Sequence, residues 1–433
     1  MEKRKSERKP LRVTRRDFIK KTTIATGAAA LASSLPAPWV QAANTVKIGF
    51  VTPRTGPLAA FAEADEFAIT ALRKIFADGV KIGGATHPLE IIVKDSQSNP
   101  NRASEVASDL IAKDKIDLML VSWTPETTNP VSDQCELTHT PCISTCSPWQ
   151  PWFFGRGGKP DVGFDWTYHF FWGLEDIIAV FTSMWGSLPN NKVVGALWPN
   201  DGDGNAWADS KIGFPPAITG KGFTIVDPGR YQNLTEDYSA QIAAFKKGNV
   251  EIVTGVPLPP DFTVFWRQAM QQGFHPKIAS VGKALLFPQA VEALGDSGTG
   301  VSSEVWWTPS HPFSSSLTHQ SAADLGASWE QTTGKQWTQP IGFAHAIFEV
   351  GIDVLSRTQD ISKKASIRDA IASTKLDTII GRVAWGNGPV KNVAKTPLVG
   401  GQWKKGTKHK FDLVVVENSL AKNIPAKGQL EPI

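Results

Sequence analysis

Short β-rich segments alternate with helical segments along most of this chain, and that alternation limits the folds open to it. The first strand is predicted over 46–51, and apolar residues then recur at three- and four-residue spacing from Phe61 to Phe76, as in an amphipathic helix. Further strands are predicted over 89–94, 116–121, 193–198, 252–256 and 278–281, with helical segments between them. Strands joined by helices form parallel sheets with helices on both faces, so the sequence predicts an α/β protein.

The first 42 residues have the features of an export signal. The basic stretch contains Thr14–Lys20 (TRRDFIK), which matches the twin-arginine signal, although basic runs are otherwise solvated or nucleic-acid-binding tails. The apolar run over 22–35 is about 14 residues long, shorter than the roughly 17–25 that a membrane helix needs. The tripeptide 40–42 (VQA) supplies a cleavage site. We therefore predict a twin-arginine signal peptide over 1–42 and a periplasmic location.

The net charge depends on this leader. It holds 10 of the 45 basic and 3 of the 41 acidic residues, so 35 basic and 38 acidic residues remain after its removal. A slightly acidic chain does not favour a nucleic-acid or anionic-membrane partner. A remainder of this length usually divides into two domains.

Three cysteines, Cys135, Cys142 and Cys146, lie within twelve positions. Their spacing matches no zinc pattern, and in an oxidising compartment two of them can pair and leave one over. We predict a structural role, either a local disulfide or buried thiols.

Several segments resemble the branched-chain amino-acid (Leu/Ile/Val) binding proteins of ABC importers. They occur in order over nearly the whole chain after the leader: 48–59 (IGFVTPRTGPLA), 94–100 (KDSQSNP), 238–242 (YSAQI), 265–269 (FWRQA), 366–371 (SIRDAI), 378–383 (TIIGRV) and 400–403 (GGQW). Each segment is weak alone, and their order and spacing together make the match specific.

The resemblance implies two doubly wound, Rossmann-like α/β lobes joined by three crossing hinge segments, the type I periplasmic binding protein fold. It places lobe 1 at 44–168 plus 304–384 and lobe 2 at 169–303 plus 385–433. The crossings would lie at 168–172, 303–307 and 383–386.

Ligands of open α/β sheets bind beyond the carboxyl ends of the strands. In lobe 1 this rule selects hydroxyl-rich turns that precede helices, and a helix N-terminus suits a carboxylate. The resemblance implies that these turns hold the α-carboxylate and amine of a ligand; capping of the helices is the alternative role. The candidate residues are Ser122, Trp123, Thr124, Ser144 and Thr145, with Tyr168 at the first crossing.

In lobe 2 the candidates are Asp201, Asn205 and Asp261. The resemblance places Asp261 where an acid binds the ligand's ammonium, and the N-cap of the next helix is the alternative. The segment 201–205 (DGDGN) resembles a calcium loop, but an EF-hand needs Gly and Glu where Ala206 and Ile212 stand. We predict no metal and no cofactor.

Sixteen tryptophans are many for this length. Trp side chains mostly serve packing, but several are predicted near the strand ends and would suit a ligand with an apolar or aromatic side chain. These are Trp123, Trp172, Trp198, Trp207, Trp306 and Trp307.

The resemblance therefore implies a monomeric, non-catalytic protein that closes its lobes on an amino acid or related small carboxylate and delivers it to ABC permease and ATPase subunits. A ligand sensor of the same fold, feeding a signalling partner, is the alternative. An enzyme is disfavoured because no G-x-S-x-G or H-E-x-x-H signature is present and the eight histidines are scattered.

Overall fold

A computed structural model describes residues 44–433 of the chain. The predicted signal peptide lies outside the described residues. The strands are β1 (Val46–Thr52), β2 (Val80–Ile82), β3 (Ala85–His87), β4 (Leu89–Asp95), β5 (Leu118–Ser122), β6 (Cys142–Thr145), β7 (Thr167–Phe170), β8 (Val193–Pro199), β9 (Thr224–Val226), β10 (Arg230–Tyr231), β11 (Ile252–Gly255), β12 (Ile278–Val281), β13 (Ser302–Val305), β14 (Lys375–Thr378), β15 (Gly381–Ala384), β16 (Val393–Ala394), β17 (Val399–Lys405) and β18 (Phe411–Glu417).

Helices follow most of the strands. They are α1 (Asp65–Ile75), α2 (Pro100–Asp109), α3 (Pro125–Leu137), α4 (Trp149–Phe153), α5 (Leu174–Gly186), α6 (Gly202–Trp207), α7 (Phe214–Thr219), α8 (Ser239–Lys247), α9 (Pro259–Gln271), α10 (Pro288–Glu292), α11 (Ala322–Thr333), α12 (Pro340–Arg357) and α13 (Lys364–Ala372). Within the described part of the chain, no helix is both long and apolar enough to cross a membrane.

Lobe 1 is built on six parallel strands in the order β16-β7-β6-β5-β1-β4. The chain moves from β1 to β4 at the edge and then returns to β5 on the other side of β1, so Ile48 pairs with both Ile91 and Leu118. The winding direction therefore reverses between β1 and β5, which is where doubly wound sheets bind ligands.

Lobe 2 repeats this arrangement. Its sheet has the order β10-β8-β11-β12-β13-β17-β18, with β9 also paired to β8. The strands are parallel up to β13, and β17 and β18 extend the sheet in antiparallel fashion. The winding reverses between β8 and β11. The predicted α/β class with two doubly wound lobes is confirmed.

The buried faces of the strands explain the layering. Leu118 and Leu120 of β5 belong to the core shared with α12, while Met119 and Val121 belong to the core shared with α2 and α3. This alternation follows from the two-residue period of a strand. Gly351 allows α12 to approach closely, because a Cβ there would lie 3.1 Å from Leu120.

The chain passes between the two sheets three times. The third passage follows β16, because Val393 pairs with His169 of β7 in the lobe 1 sheet and β17 lies in the other sheet. The prediction that the third crossing lies at 383–386, with lobe 2 resuming at residue 385, is therefore wrong. The predicted boundaries after residues 168 and 303 fall within β7 and β13, each of which stays whole in one sheet.

The three cysteines are buried and unbridged. Of the two predicted alternatives, the structure has buried thiols.

Candidate ligand-binding cleft

The carboxyl ends of both sheets meet at one crevice. Phe61, Thr124, Cys146, Pro148 and Phe171 line it from lobe 1, Asp203, Trp207, Val256, Lys283 and Glu304 line it from lobe 2, and Trp172 and Trp306 lie at the crossings. Most of these residues directly follow a strand of their sheet. The free space between them is about 20 Å³, room for about one water molecule.

Four residues with strained backbone angles lie at or next to this crevice. Trp123 and Thr124 after β5, Cys146 after β6 and Lys283 after β12 have φ angles of 75°, 57°, 64° and 63°. Such angles are unfavourable for residues with a side chain, at about 1–3 kcal/mol each, and they persist where the surrounding structure enforces them for function.

The walls of the crevice are largely aromatic. The ring centroids of Phe171 lie 4.7 Å from Trp172 and 4.9 Å from Trp306, and Trp207 stacks on Phe214 at 4.9 Å. These contacts hold the rings in place, so the crevice offers preformed flat surfaces to a planar or apolar group.

A buried lysine lies at the lobe 2 wall. Lys283 is 4% exposed, and its Nζ donates to Asp203 Oδ2 at 2.8 Å and to Asp201 Oδ2 at 3.4 Å. Burial lowers the pKa of Lys283, but the charges of Asp201 and Asp203 outweigh it and hold the pKa above its usual value. The lysine is therefore charged.

Two buried carboxyl groups near this lysine are difficult to ionise. Burial raises the pKa of Asp203 to about 7, although Lys283 opposes the rise. Burial also raises the pKa of Glu304 to about 7, against hydrogen bonds from the Lys283 amide at 2.9 Å and the Ser303 hydroxyl at 2.8 Å. Desolvation disfavours the charged form of a carboxyl group.

Several polar atoms at the crevice have no partner. Among residues 44–433, no group bonds to Thr124 Oγ1, Asp203 Oδ1 or the indole N–H groups of Trp172, Trp207 and Trp306. Buried polar groups are normally paired. The residues that line the crevice therefore include four possible donors and one carboxylate acceptor without a partner in the described chain.

Asp65 is a buried acid that contacts Trp123, the residue before Thr124. Its carboxyl accepts hydrogen bonds from Thr52 Oγ1 and, at 3.0 Å, from Trp123 Nε1. Burial raises the pKa of Asp65 to about 7. The bond to Trp123 fixes the strained residue that precedes Thr124.

The structure brings one predicted lobe 1 residue, Thr124, to the crevice. Thr124 is the N-cap residue of α3, but its side chain makes no capping bond. The other predicted hydroxyls are buried: Ser122 Oγ has no partner among the described residues, Ser144 Oγ donates to the Tyr168 carbonyl, and Thr145 Oγ1 donates to the Phe170 carbonyl. Trp123 points to Asp65.

Tyr168 and the lobe 2 candidates lie outside the lining. The Tyr168 ring packs on Trp385 in a separate groove. Asp201 caps α6 through Gly204 N at 2.7 Å and reaches the crevice only through Lys283, while Asn205 bonds to Asn200 and Arg230.

Asp261 does not cap α9, whose N-cap residue is Leu258. Its Oδ1 accepts from Leu234 N at 2.7 Å, and burial raises its pKa to about 6. Asp261 is therefore not the N-cap residue of α9, and it is not among the residues that line the crevice.

Sequence reasoning missed Asp203, Lys283 and Glu304. Asp203 follows Asp201 by two residues, and the start of α6 decides which of the two faces the crevice. Lys283 has one signal in the sequence, a lone charge two residues after an apolar strand. Glu304 lies inside β13, where an isolated acid within a buried strand is the signal.

A larger open groove of about 720 Å³ lies beside Arg382, Lys395 and Asp176. It is formed mainly by loops and the β14–β15 hairpin, and it meets the lobe 1 sheet at its edge, where Lys395 follows the two-residue strand β16. The aromatic crevice is the better candidate because it lies at both winding reversals.

Two doubly wound lobes, three crossings and a polar, aromatic crevice between the strand ends define a solute-binding protein. Residues 45–408 match the family described as periplasmic binding protein. The chain belongs to this family, whose members bind solutes and are not enzymes, and the family indicates a periplasmic location.

Solved structures share the fold at low identity. A leucine-binding protein from Thermotoga maritima is 18% identical with a TM-score of 0.70, over 87% of this chain and 99% of that one. A branched-chain amino-acid binding protein from Streptococcus pneumoniae, in complex with isoleucine, is 16% identical with a TM-score of 0.65, over 86% and 99%. A solute-binding protein from R. palustris, in complex with 4-hydroxybenzoate, is 16% identical with a TM-score of 0.69, over 86% and 96%.

Proposed function

We propose that this protein captures an amino acid or a related small carboxylate with an apolar or aromatic side chain, and that its lobes close on the ligand by hinge motion. The observation that carries the proposal is the set of unpartnered donors at the aromatic crevice: Thr124 Oγ1 and the indole N–H groups of Trp172, Trp207 and Trp306. Neutral donors in a dry crevice bind a carboxylate through charge-assisted hydrogen bonds.

The aromatic walls support the second part of the proposal. Phe171, Trp172 and Trp306 contact one another at one side of the crevice, so an apolar or planar side chain would be buried between rings. The isoleucine and 4-hydroxybenzoate complexes of the two structural neighbours are consistent with either type of side chain.

The proposal extends to partners and export. We propose that the protein acts as a monomer, leaves the cytoplasm by the twin-arginine pathway and delivers its ligand to the permease and ATPase subunits of an ABC importer. The sequence Thr14–Lys20 supports the export route. Stimulation of the ATPase by the ligand-loaded protein would distinguish an importer from a sensor of the same fold.

A thermal-shift screen tests the ligand class. Amino acids and aromatic acids are added to the purified protein, and at least one is expected to raise the melting temperature and change tryptophan fluorescence. Thr124→Val removes one hydroxyl with little change in shape and should weaken that ligand about tenfold or more. Thr332→Val, at an exposed position in α11, is the matched control. Absence of any shift across the panel would contradict the proposal.

A further inference from the structure

One lysine ties the first crossing to the third. Lys395 directly follows β16, at the start of the third passage between the sheets. Its Nζ donates to Glu175 Oε1 at 2.8 Å and to Asp176 Oδ1 at 2.7 Å. Both acids lie in the first turn of α5, which begins where the first passage, residues 171–173, ends. We call these three residues the crossing clamp.

The crossing clamp joins the two lobes. Its lysine follows β16, which pairs with β7 at the edge of the lobe 1 sheet. Its two acids belong to α5, which packs on β13, β17 and β18 of the lobe 2 sheet. A rotation of lobe 2 that moves the start of α5 away from residue 395 must therefore stretch or break both ion pairs.

Other groups hold the two acids of the clamp in place. Glu175 Oε1 also accepts from Trp149 Nε1 at 3.1 Å, and Glu175 Oε2 accepts from the Gln150 side chain. Asp176 Oδ2 accepts from the Gly173 amide at 2.9 Å. Exposed ion pairs are weak largely because both side chains lose freedom when they meet. Here the acids are already fixed, so less freedom is lost.

The charges of the clamp support one another. Burial lowers the pKa of Lys395, but Asp176 and Glu175 outweigh it and hold that pKa above its usual value. Burial raises the pKa of Glu175, but Lys395 outweighs it and the pKa is lowered. The pKa of Asp176 is raised, because its burial outweighs the lysine. Glu175 is therefore the more firmly ionised partner of Lys395.

The clamp is open to dissolved salt. The side chains of Lys395 and Glu175 are 34% and 45% exposed. Lys395 and Asp176 also line the open groove of about 720 Å³ beside the β14–β15 hairpin. Salt screens charges that are in contact with solvent. The strength of the clamp should therefore fall as the salt concentration rises.

We infer that Lys395 is a positioning residue of the hinge: its ion pairs with Glu175 and Asp176 stabilise the arrangement in which the lobes are in contact and oppose their separation. The inference rests on the proposed function, because it concerns the hinge motion proposed there. A contact that is made in one of two forms and lost in the other shifts the population toward the first form.

Small-angle scattering of the ligand-free protein tests the inference. Lys395→Gln removes the charge of the clamp, so its radius of gyration should exceed that of the unaltered protein. Raising NaCl from about 0.02 M to about 0.5 M should move the unaltered protein toward the variant and change the variant less. Lys404→Gln is the matched control, because Lys404 pairs with Glu431 at 2.6 Å and both residues follow the last crossing. Equal radii for Lys395→Gln and the control would overturn the inference.

Hydrogen exchange gives a local measurement in a second variant. Asp176→Asn removes one charge of the clamp and keeps an oxygen for the Gly173 amide. The Phe171 amide donates to the Ala394 carbonyl at 3.0 Å, between the first passage and β16. It should exchange several-fold faster in both variants than in the unaltered protein. Circular dichroism establishes that the variants are folded, and if Lys395→Gln does not fold, Asp176→Asn decides. Unchanged exchange at Phe171 would count against the clamp.

These measurements need no ligand, so they separate the clamp from the proposed function. Unchanged scattering in Lys395→Gln, together with a ligand that raises the melting temperature, would overturn the inference and leave the proposed function standing. A larger radius in Lys395→Gln, with no ligand found in the thermal-shift panel, would support the clamp and contradict the proposed function.

Discussion

The amide of Gly202 donates a 2.9 Å hydrogen bond to Glu126 Oε1, so the first turn of α6 in lobe 2 contacts the first turn of α3 in lobe 1. Gly202 also lies against Pro125, and a Cβ at residue 202 would come within 2.8 Å of the Pro125 Cβ. This contact between the lobes therefore depends on the absence of a side chain at residue 202.

Gly202→Ala is expected to oppose closure. The added methyl group would contact Pro125 only when the lobes are together, so the open form should gain population and ligand affinity should fall several-fold. Small-angle scattering should show a larger radius of gyration than for the unaltered protein. Gly186→Ala is the control, because a Cβ at that position meets nothing within 4 Å. Identical scattering curves for Gly202→Ala and the control would contradict the prediction.

Lys283→Met should destabilise the fold strongly. The substitution leaves the buried carboxyl groups of Asp201 and Asp203 without their cation, and loss of one partner of a buried ion pair costs about 3–5 kcal/mol. Urea denaturation measures the free energy of unfolding. Lys113→Met removes a lysine whose side chain is 73% exposed beside Asp109, so its loss should lower the free energy of unfolding far less than Lys283→Met does. Equal losses of unfolding free energy for the two variants would show that the charge of Lys283 does not stabilise the fold.

Asp65 gives the protein a pH-dependent stability. Burial raises its pKa to about 7 in the folded protein, against the usual value of 3.8 in an unfolded chain, so the folded state holds the proton more tightly. The free energy of unfolding should therefore fall as pH rises from about 4 to about 7 and level off above that range. Asp203, Glu304 and Glu349, whose pKa values burial also raises to about 7, contribute in the same direction.

Asp65→Asn isolates the contribution of one group. The amide cannot ionise, so the decline in unfolding free energy between pH 4 and pH 7 should be shallower than in the unaltered protein. Denaturation curves at closely spaced pH values measure this slope. Asp377→Asn, at an exposed carboxyl group, should keep the original slope. A slope that Asp65→Asn leaves unchanged would show that Asp65 ionises normally in the folded state.

Local sequence patterns predicted the strands of the two sheets well. The predicted strands at 46–51, 89–94, 193–198 and 278–281 agree with β1, β4, β8 and β12 to within one residue, because apolar runs between helical segments define them. The sequence analysis missed β16, because a strand of two residues is too short to show an alternating pattern. The third crossing follows β16, so its position was predicted wrongly as well.

The crevice was harder to predict because its contacts are distant in sequence. Lys283 is 80 residues from Asp203, and Glu126 is 76 residues from Gly202. No local pattern specifies such pairs. Thr124 was found because it follows a strand directly and precedes a helix, whereas Asp201 was chosen over Asp203 because the sequence alone does not fix where α6 begins.

Asp261→Asn tests whether Asp261 contacts the ligand. Asn keeps an oxygen that can accept from Leu234 N, and Asp261 does not line the crevice, so ligand affinity should stay within about twofold. Isothermal titration with the ligand found in the thermal-shift screen measures this, with Thr124→Val as the positive control. A sharp loss of affinity would instead place Asp261 on the ligand's ammonium.

The cysteines should be unreactive in the folded protein. Burial raises the pKa of Cys135 and Cys146 well above the usual thiol value, and all three thiols are buried. Because the thiolate is the reactive form, an aromatic disulfide reagent should label almost none of them in the native state. Denaturation without a reductant should release three reactive thiols per chain. A single thiol under those conditions would mean that two cysteines are paired, which would contradict the unbridged arrangement.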